Sequence, residues 1–213
     1  MQTLKEEIRS RIRKAALAEF NKEGYVKASM RNIAGAAGVA IGNVYRYYKN
    51  KDELFDELVQ PVYEKYEANM AEMRQKINFS YRNDTPDVLK YYSKIESTLI
   101  DLFKTFTAEM TIVFNRSEGT RYEHAKPDLI KLSHSVIESM ILKARENERL
   151  TDYETALARM LSTSLVEGLC LILRDNEEGE TYNKLVDQLL NIYSAGLNSV
   201  IKQMEASWGD RTE

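Results

Sequence analysis

The chain has 213 residues, 43% of them hydrophobic and 30% charged, and a formal net charge of −3: an ordinary soluble composition, with room for a small head and a larger core and no long disordered tail. Neither a run of eighteen apolar residues nor a basic-then-apolar leader is present, which predicts a cytoplasmic chain without membrane association. The single cysteine, Cys170, excludes an internal disulfide, the histidines His124 and His134 stand in no metal-ligand cluster, and three prolines with nine glycines favour long helices, so an all-α fold without cofactor or metal is expected.

The first predicted helix runs from Leu4 to Glu23, with Ile8, Ile12, Ala15, Ala16 and Phe20 at helical spacing and Gly24 as its stop. Ser29 then offers a hydroxyl to the orphan amides of a second helix, which buries Ile33, Ala34 and Ala37. Gly38 ends that helix, because glycine takes a positive φ without a Cβ penalty, and apolar Val39 pins the exit of the turn to the core. A third helix from Ile41 to Tyr48 turns Val44 and Tyr48 to one side and leaves Asn43, Arg46 and Tyr47 free to face outward. Two short helices, a glycine-marked turn and a basic aromatic face within Ser29–Leu58 point to a helix-turn-helix DNA reader. A fourth helix begins at Asn50, where the Asn side chain and Glu53 resemble a capping box, and continues through Leu54, Phe55, Leu58, Val62 and Tyr66 toward Lys76. Pro61 removes the bond to the carbonyl of Glu57, so a bend over Glu57–Pro61 is expected, either inert or a hinge through which the body swings the head.

Arg31, the block AGAAGV from Ala34 to Val39, the run Asn43-Val44-Tyr45-Arg46-Tyr47-Tyr48 and the segment Lys49-Asn50-Lys51-Asp52-Glu53-Leu54 follow one another in a specific order and spacing. Together they resemble the DNA-binding domain of TetR-type (TetR/AcrR family) transcriptional regulators. The resemblance implies DNA contacts from Arg31, Ile41, Gly42, Asn43, Tyr45, Arg46, Tyr47 and Lys51. It also implies a homodimer formed through the last two main helices and a helical body that binds a small-molecule effector. Among the contacts, Arg46 and Asn43 suit base edges, because Arg bonds guanine and Asn adenine in bidentate fashion, while Arg31, Tyr45, Tyr47 and Lys51 suit phosphates. Lys51 sits at the first turn of the fourth helix, where its ammonium and the free helix amides can converge on one phosphate. The chain departs from the family at Ala40, where a hydroxyl residue is usual; the recognition helix thereby lacks an N-cap worth about 1 kcal/mol.

Charge is segregated along the chain. Residues 1–52 hold eleven Lys and Arg against five Asp and Glu, a balance of +6, and the remainder holds nineteen against twenty-eight, a balance of −9. A basic head on an acidic body suits a DNA reader, since phosphate contacts supply most non-specific affinity. The expected domains are a three-helix helix-turn-helix DNA-binding domain at residues 1–52 and a helical effector-binding and dimerisation domain at residues 53–213, bridged by the fourth helix.

Residues 77–86 (INFSYRNDTP) read as an interruption, with Asp84-Thr85-Pro86 starting a fresh helix. Further helices are predicted over residues 86–115, 126–147, 152–174 and 181–205, with polar breaks at Ser117–Thr120 and Asn176–Gly179. The last shows Tyr182, Val186, Leu189, Tyr193, Leu197, Val200 and Met204 three and four apart, a coiled-coil-like seam, and Leu157, Leu161, Leu165, Leu169 and Ile172 stripe the helix before it. Either these stripes line the monomer core or, as the resemblance favours, they form a four-helix dimer interface through Leu161, Leu165, Leu169, Leu189, Tyr193, Leu197 and Val200. A symmetric dimer would set two recognition helices about 34 Å apart on a near-palindromic operator. Phe103, Phe106, Met110 and Phe114 are candidates for the effector site, although such a stripe also suits a core. Glu167, inside the apolar run LVEGLCLIL, needs a partner if buried and reads equally as a ligand contact or a pair across the dimer.

These features support a ligand-responsive homodimeric transcriptional repressor, bound to a double-stranded DNA operator and released by an unidentified small-molecule effector. The sequence has no nucleophile elbow, phosphate-cradling glycine loop or metal-ligand spacing, which argues against an enzyme. The alternative is a dimeric helical adaptor that has lost operator binding, a reading that Ala40 leaves open.

Overall fold

The computed structural model describes residues 2–82, 100–144, 149–176 and 178–209, and every regular element among them is an α-helix. These are α1 (Gln2–Lys27), α2 (Met30–Ala37), α3 (Ile41–Tyr47), α4 (Lys51–Arg82), α5 (Thr107–Asn115), α6 (Ala125–Ala144), α7 (Asp152–Asp175) and α8 (Glu180–Gly209), with residues 100–105 also helical. The helix start expected at Asp84-Thr85-Pro86 lies outside the described residues.

Helix α1 breaks at Gly24, which takes φ 76 and ψ 164, so its straight part ends where the glycine predicts and Tyr25–Lys27 form a separate final turn. Its buried residues Ile12, Ala15, Ala16 and Phe20 cover Ile33, Val44, Tyr48 and Leu54 in the three-helix head. Helix α4 runs unbroken through Pro61 to Arg82, so residues 77–82 belong to it and the interruption expected over 77–86 is corrected for that part. None of Ile77 to Arg82 is a helix breaker, and the polar character that suggested a loop is only a weak prior. Pro61 lies on the exposed side of α4, where water can take the bond its ring denies to the carbonyl of Glu57.

The single helix predicted over 86–115 is also corrected. Phe106, at φ −125 and ψ 47, separates helical residues 100–105 from α5. Beside the break, the buried Thr107 hydroxyl donates to the carbonyl of Phe103 at 3.3 Å, and that of Thr111 donates to Thr107 at 2.7 Å. Such back-bonding hydroxyls compete with the helical ladder and bend it. Helix α7 opens on a full capping box: the Thr151 hydroxyl accepts from the Glu154 amide at 3.3 Å, and the Glu154 carboxylate accepts from the Thr151 amide at 2.7 Å.

One buried cluster extends from Ile12 in the head to Val186 in α8, carried across by Phe55, Leu58, Val59, Val62 and Tyr66 of α4. Aromatic rings link the levels: Phe55 meets Phe20 edge-on at 4.9 Å and Tyr122 at 5.9 Å, Tyr63 meets Tyr122 at 4.9 Å, and Tyr66 meets Phe114 at 5.3 Å. The buried Tyr66 hydroxyl donates to the carbonyl of Ala125 at 2.9 Å. Packing is therefore continuous across position 52, and α4 serves both sides of it.

Candidate nucleic-acid interface and body cavity

Contacts from α1 hold the two short helices that follow it. Ser29 caps α2 by accepting from the Arg31 amide at 3.3 Å, and the Glu19 carboxylate accepts from the Ser29 amide at 3.1 Å and from Asn32 Nδ2 at 3.0 Å. At the other end, Gly38 takes φ 64, the Val39 amide donates to Ala34 O and the Gly38 amide to Gly35 O, each at 3.0 Å, which is the Schellman pattern. The Arg11 guanidinium donates to the carbonyls of Ala37 and Gly38, closing the acceptors that α2 leaves open. A Cβ at position 38 would lie 2.7 Å from Arg11 Nη2, so the glycine serves both the backbone angle and the arginine.

Helix α3 is secured from beneath. Val44 and Tyr48 are buried, and the Tyr48 hydroxyl donates to Glu57 Oε1 at 2.8 Å. Arg9 donates to Glu57 Oε2 at 2.6 Å, and Arg13 Nε lies 3.5 Å from Oε1. Burial alone would raise the Glu57 carboxyl, but the hydrogen bonds from Arg9 and Tyr48 and the two arginine charges hold it below the usual carboxylate range. Burial and Glu57 push the Tyr48 phenol up to about 12, so it remains a donor. Arg9, Arg11 and Arg13 thus work within the head.

The N-cap of α3, Ala40, is extended and exposed and gives no side-chain bond; its carbonyl accepts from the Asn43 amide at 2.8 Å. Ala40→Ser is expected to stabilise the head by about 1 kcal/mol, read as a higher midpoint in urea unfolding.

Among the residues that the resemblance assigns to DNA, Arg31, Ile41, Gly42, Tyr45 and Arg46 are exposed, with Ile41 at 38% and Tyr45 at 50%. Asn43 and Tyr47 are half-buried, and Tyr47 packs against the core. A Cβ at Gly42 would meet nothing within 4 Å, so no contact inside the chain demands glycine there. Lys51 is different. Its ammonium donates to the carbonyls of Tyr25, Val26 and Ala28 at 2.6, 3.3 and 3.2 Å and lies 4.4 Å above the Tyr25 ring. All three of its protons are therefore used to close the turn that ends α1, so a phosphate at this position would compete with three carbonyl acceptors. Among the described residues, the exposed cations at this corner that make no ion pair or side-chain hydrogen bond are Lys27, Arg31, Arg46 and Lys49. The cap of α4 is also offset by one residue: Asn50 Oδ1 accepts from the Glu53 amide at 2.8 Å, while the Glu53 carboxylate accepts from the Lys49 amide at 2.8 Å.

The head meets the body at the loop after α5. The Tyr25 amide donates to Arg116 O at 2.9 Å, the Tyr122 hydroxyl donates to Asp56 Oδ1 at 2.8 Å, and Arg121 reaches that hydroxyl at 2.7 Å and Asp56 Oδ2 at 3.3 Å. Helices α6, α7 and α8, with Met73 of α4 and Ile100 and Phe103, line a half-open cavity of about 380 Å³, within the roughly 300–1,000 Å³ typical of ligand sites. Phe103 lines it as a candidate effector contact, and so do Leu161, Leu165, Leu169, Tyr193 and Leu197, which the sequence placed in a dimer interface. All five are half-buried and line the cavity, the position that the monomer-core alternative gives these stripes. Leu189 packs against Gly168, and Val200 is half-buried. Among the described residues, the large hydrophobic side chains left exposed on these two helices are Tyr153, Met160 and Leu171 on α7 and Leu185 and Ile192 on α8, between 39% and 69% exposed.

Of the other effector candidates, Met110 and Phe114 lie in the buried core, and the half-buried Phe106 ring lies under Lys65 Nζ at 4.4 Å. Glu167 is exposed, not buried, and pairs with Lys126 at 2.7 Å, because its turn of α7 faces outward. No group of three metal-ligating side chains occurs among the described residues.

Residues 12–58 match the family model described as bacterial regulatory proteins, tetR family. The chain is 28% identical over 171 residues to the HTH-type transcriptional regulator AcrR of Shigella flexneri, a match covering 77% of each chain. It is 33% identical over 75 residues to the HTH-type transcriptional regulator YhgD of Bacillus subtilis, covering 35% of this chain and 36% of that one. Among solved structures, it is similar to NalD, the secondary repressor of the MexAB-OprM multidrug efflux pump in Pseudomonas aeruginosa, with a TM-score of 0.48, 22% identity and coverage of 87% of this chain and 95% of that one.

Proposed function

We propose that the chain, whose residues 12–58 match the tetR family of bacterial regulatory proteins, is a homodimeric repressor, not an enzyme, whose grip on a near-palindromic operator is loosened by a small molecule in the body cavity. The observation that carries this reading is α3 itself: buried Val44 and Tyr48 fix the helix while Ile41, Gly42, Tyr45 and Arg46 stand free on its outer side. The open space at Gly42 suits close approach of duplex. Arg46 and Asn43 read base edges; Arg31, Tyr45 and Tyr47 set the register against phosphates, joined by Lys27 and Lys49 in the place first given to Lys51. Residues 1–52 act as the DNA-binding domain and residues 53–213 as the effector-binding and dimerisation domain.

Dimerisation uses the outer face of α7 and α8. Helix α7 has a mean hydropathy of 1.6 over its most apolar window yet only 28% of that window is buried, so much of its apolar surface awaits cover. By length and composition α7 would also pass as a membrane span. It is packed against α6 and α8 along its inner side, however, and leaves a strip rather than a cylinder to cover. A second copy meeting that strip about a two-fold axis covers both at once and pairs the recognition helices. The chain then works in the cytoplasm, where its operator is.

Genomic fragments selected on the purified protein should share a palindrome with half-sites about 34 Å apart. Arg46→Ala should cost about 1–3 kcal/mol on that sequence and little on random DNA, measured by titrating both duplexes at one salt concentration. Failure to enrich any palindrome would favour the adaptor, a reading supported by the uncapped start of α3.

A further inference from the structure

The chemistry of the cavity narrows the class of effector, an inference that rests on the effector reading above. Its inner walls are apolar, with Phe103, Ile137 and Leu165 among them, and among the described residues its lining holds no Asp, Glu, Lys, Arg or His. The polar groups it does hold are the side chains of Ser133, Tyr193, Ser194 and Asn198. Ser194 and Asn198 are exposed and one turn apart on α8, so they mark the solvent side. Lys104, next in sequence to the lining residue Phe103, is already held by Asp187 at 2.5 Å. A cation would find two rings, Phe103 and Tyr193, and no carboxylate. Among the described residues either ion would shed water without gaining a counter-charge, whereas a hydroxyl, carbonyl or amide needs only the hydrogen bonds that are present.

We propose that this cavity takes an uncharged amphiphile, its apolar body among Phe103, Ile137 and Leu165 and its hydrogen-bonding end at Ser194 and Asn198. Calorimetric titration of the full chain with decanol, decanoate and decylammonium, below their micellar concentrations, separates the classes with one apolar body. Decanol should bind at least tenfold more tightly than either ion, about 1.4 kcal/mol. Ser194→Lys, at an exposed position that leaves the fold intact, should shift the preference toward decanoate. Decanoate or decylammonium binding as tightly as decanol would overturn the uncharged class, as would no binding by any of the three. An unchanged preference in Ser194→Lys would overturn the placement of the polar end. Decanol that binds and leaves operator affinity unchanged would sink the effector reading while the ligand class stands.

Discussion

Ile192→Glu is expected to give a folded monomer whose operator affinity is lower by about two to four orders of magnitude, the advantage that linking two binding sites typically confers. The side chain is 59% exposed, so the substitution should change the stability of the single chain by no more than about 0.5 kcal/mol. In a two-fold dimer, however, the same patch meets itself, and one substitution places two unpaired carboxylates in an apolar contact. Desolvating each costs several kcal/mol. Met160→Asp, on the neighbouring strip of α7, should act in the same way. Sedimentation gives the mass, circular dichroism the fold, and titration of a full and a half operator the loss of bivalency. A mutant that stays dimeric would move the interface off this face, and an unmutated chain that is monomeric would assign the strip to another partner.

That interface also marks where the sequence stops being legible. Punctuation of the head is local, so Ser29, Gly24, Gly38 and the missing hydroxyl at Ala40 could be placed by inspection, and each sits where its chemistry requires. Helix α7 carries a wide apolar band: Leu157, Met160, Leu161, Leu165, Leu169 and Leu171 span about half of its circumference, and the narrow polar stripe of Arg159, Thr163, Glu167 and Arg174 does not say which edge of that band is covered. A shift of one residue turns a side chain by about 100°, enough to move Leu161 to the cavity and Met160 to the surface. Glu167 looked buried because its neighbours in sequence are apolar, yet its neighbours in space are Lys126 and water. The ties that fix the head join distant positions, Arg9 to Glu57, Arg11 to Gly38 and Glu19 to Ser29, and no periodicity reveals them.

Lys51→Met should lower the unfolding free energy by about 2–3 kcal/mol, in line with the loss of a charged donor from three carbonyls that remain partly open to water. The three acceptors, Tyr25, Val26 and Ala28, lie in the turn between the break at Gly24 and the cap at Ser29, so the loss should loosen the join between α1 and α2. Tyr25 feels it twice, since its ring also carries the ammonium and its hydroxyl donates to Asp52. The competing role, a phosphate clamp, makes an opposite pair of predictions. Removing a phosphate contact leaves stability alone and reduces the dependence of log K on log salt by about 0.9 on B-form DNA. If the ammonium works inward, the salt slope should hold at a temperature where the mutant is folded, while the urea midpoint falls. Lys27→Gln and Lys49→Gln should give the reverse: unchanged midpoints and a shallower slope. A Lys51→Met protein of unchanged stability and shallower slope would return the residue to the DNA. The outcome also decides how operator release reaches the head, because the turn that Lys51 closes holds the Tyr25 amide bonded to Arg116 in the body. A body movement that pulls on Arg116 would then act on α2 through a clamped turn, and Lys51→Met should weaken effector-driven release as well as stability.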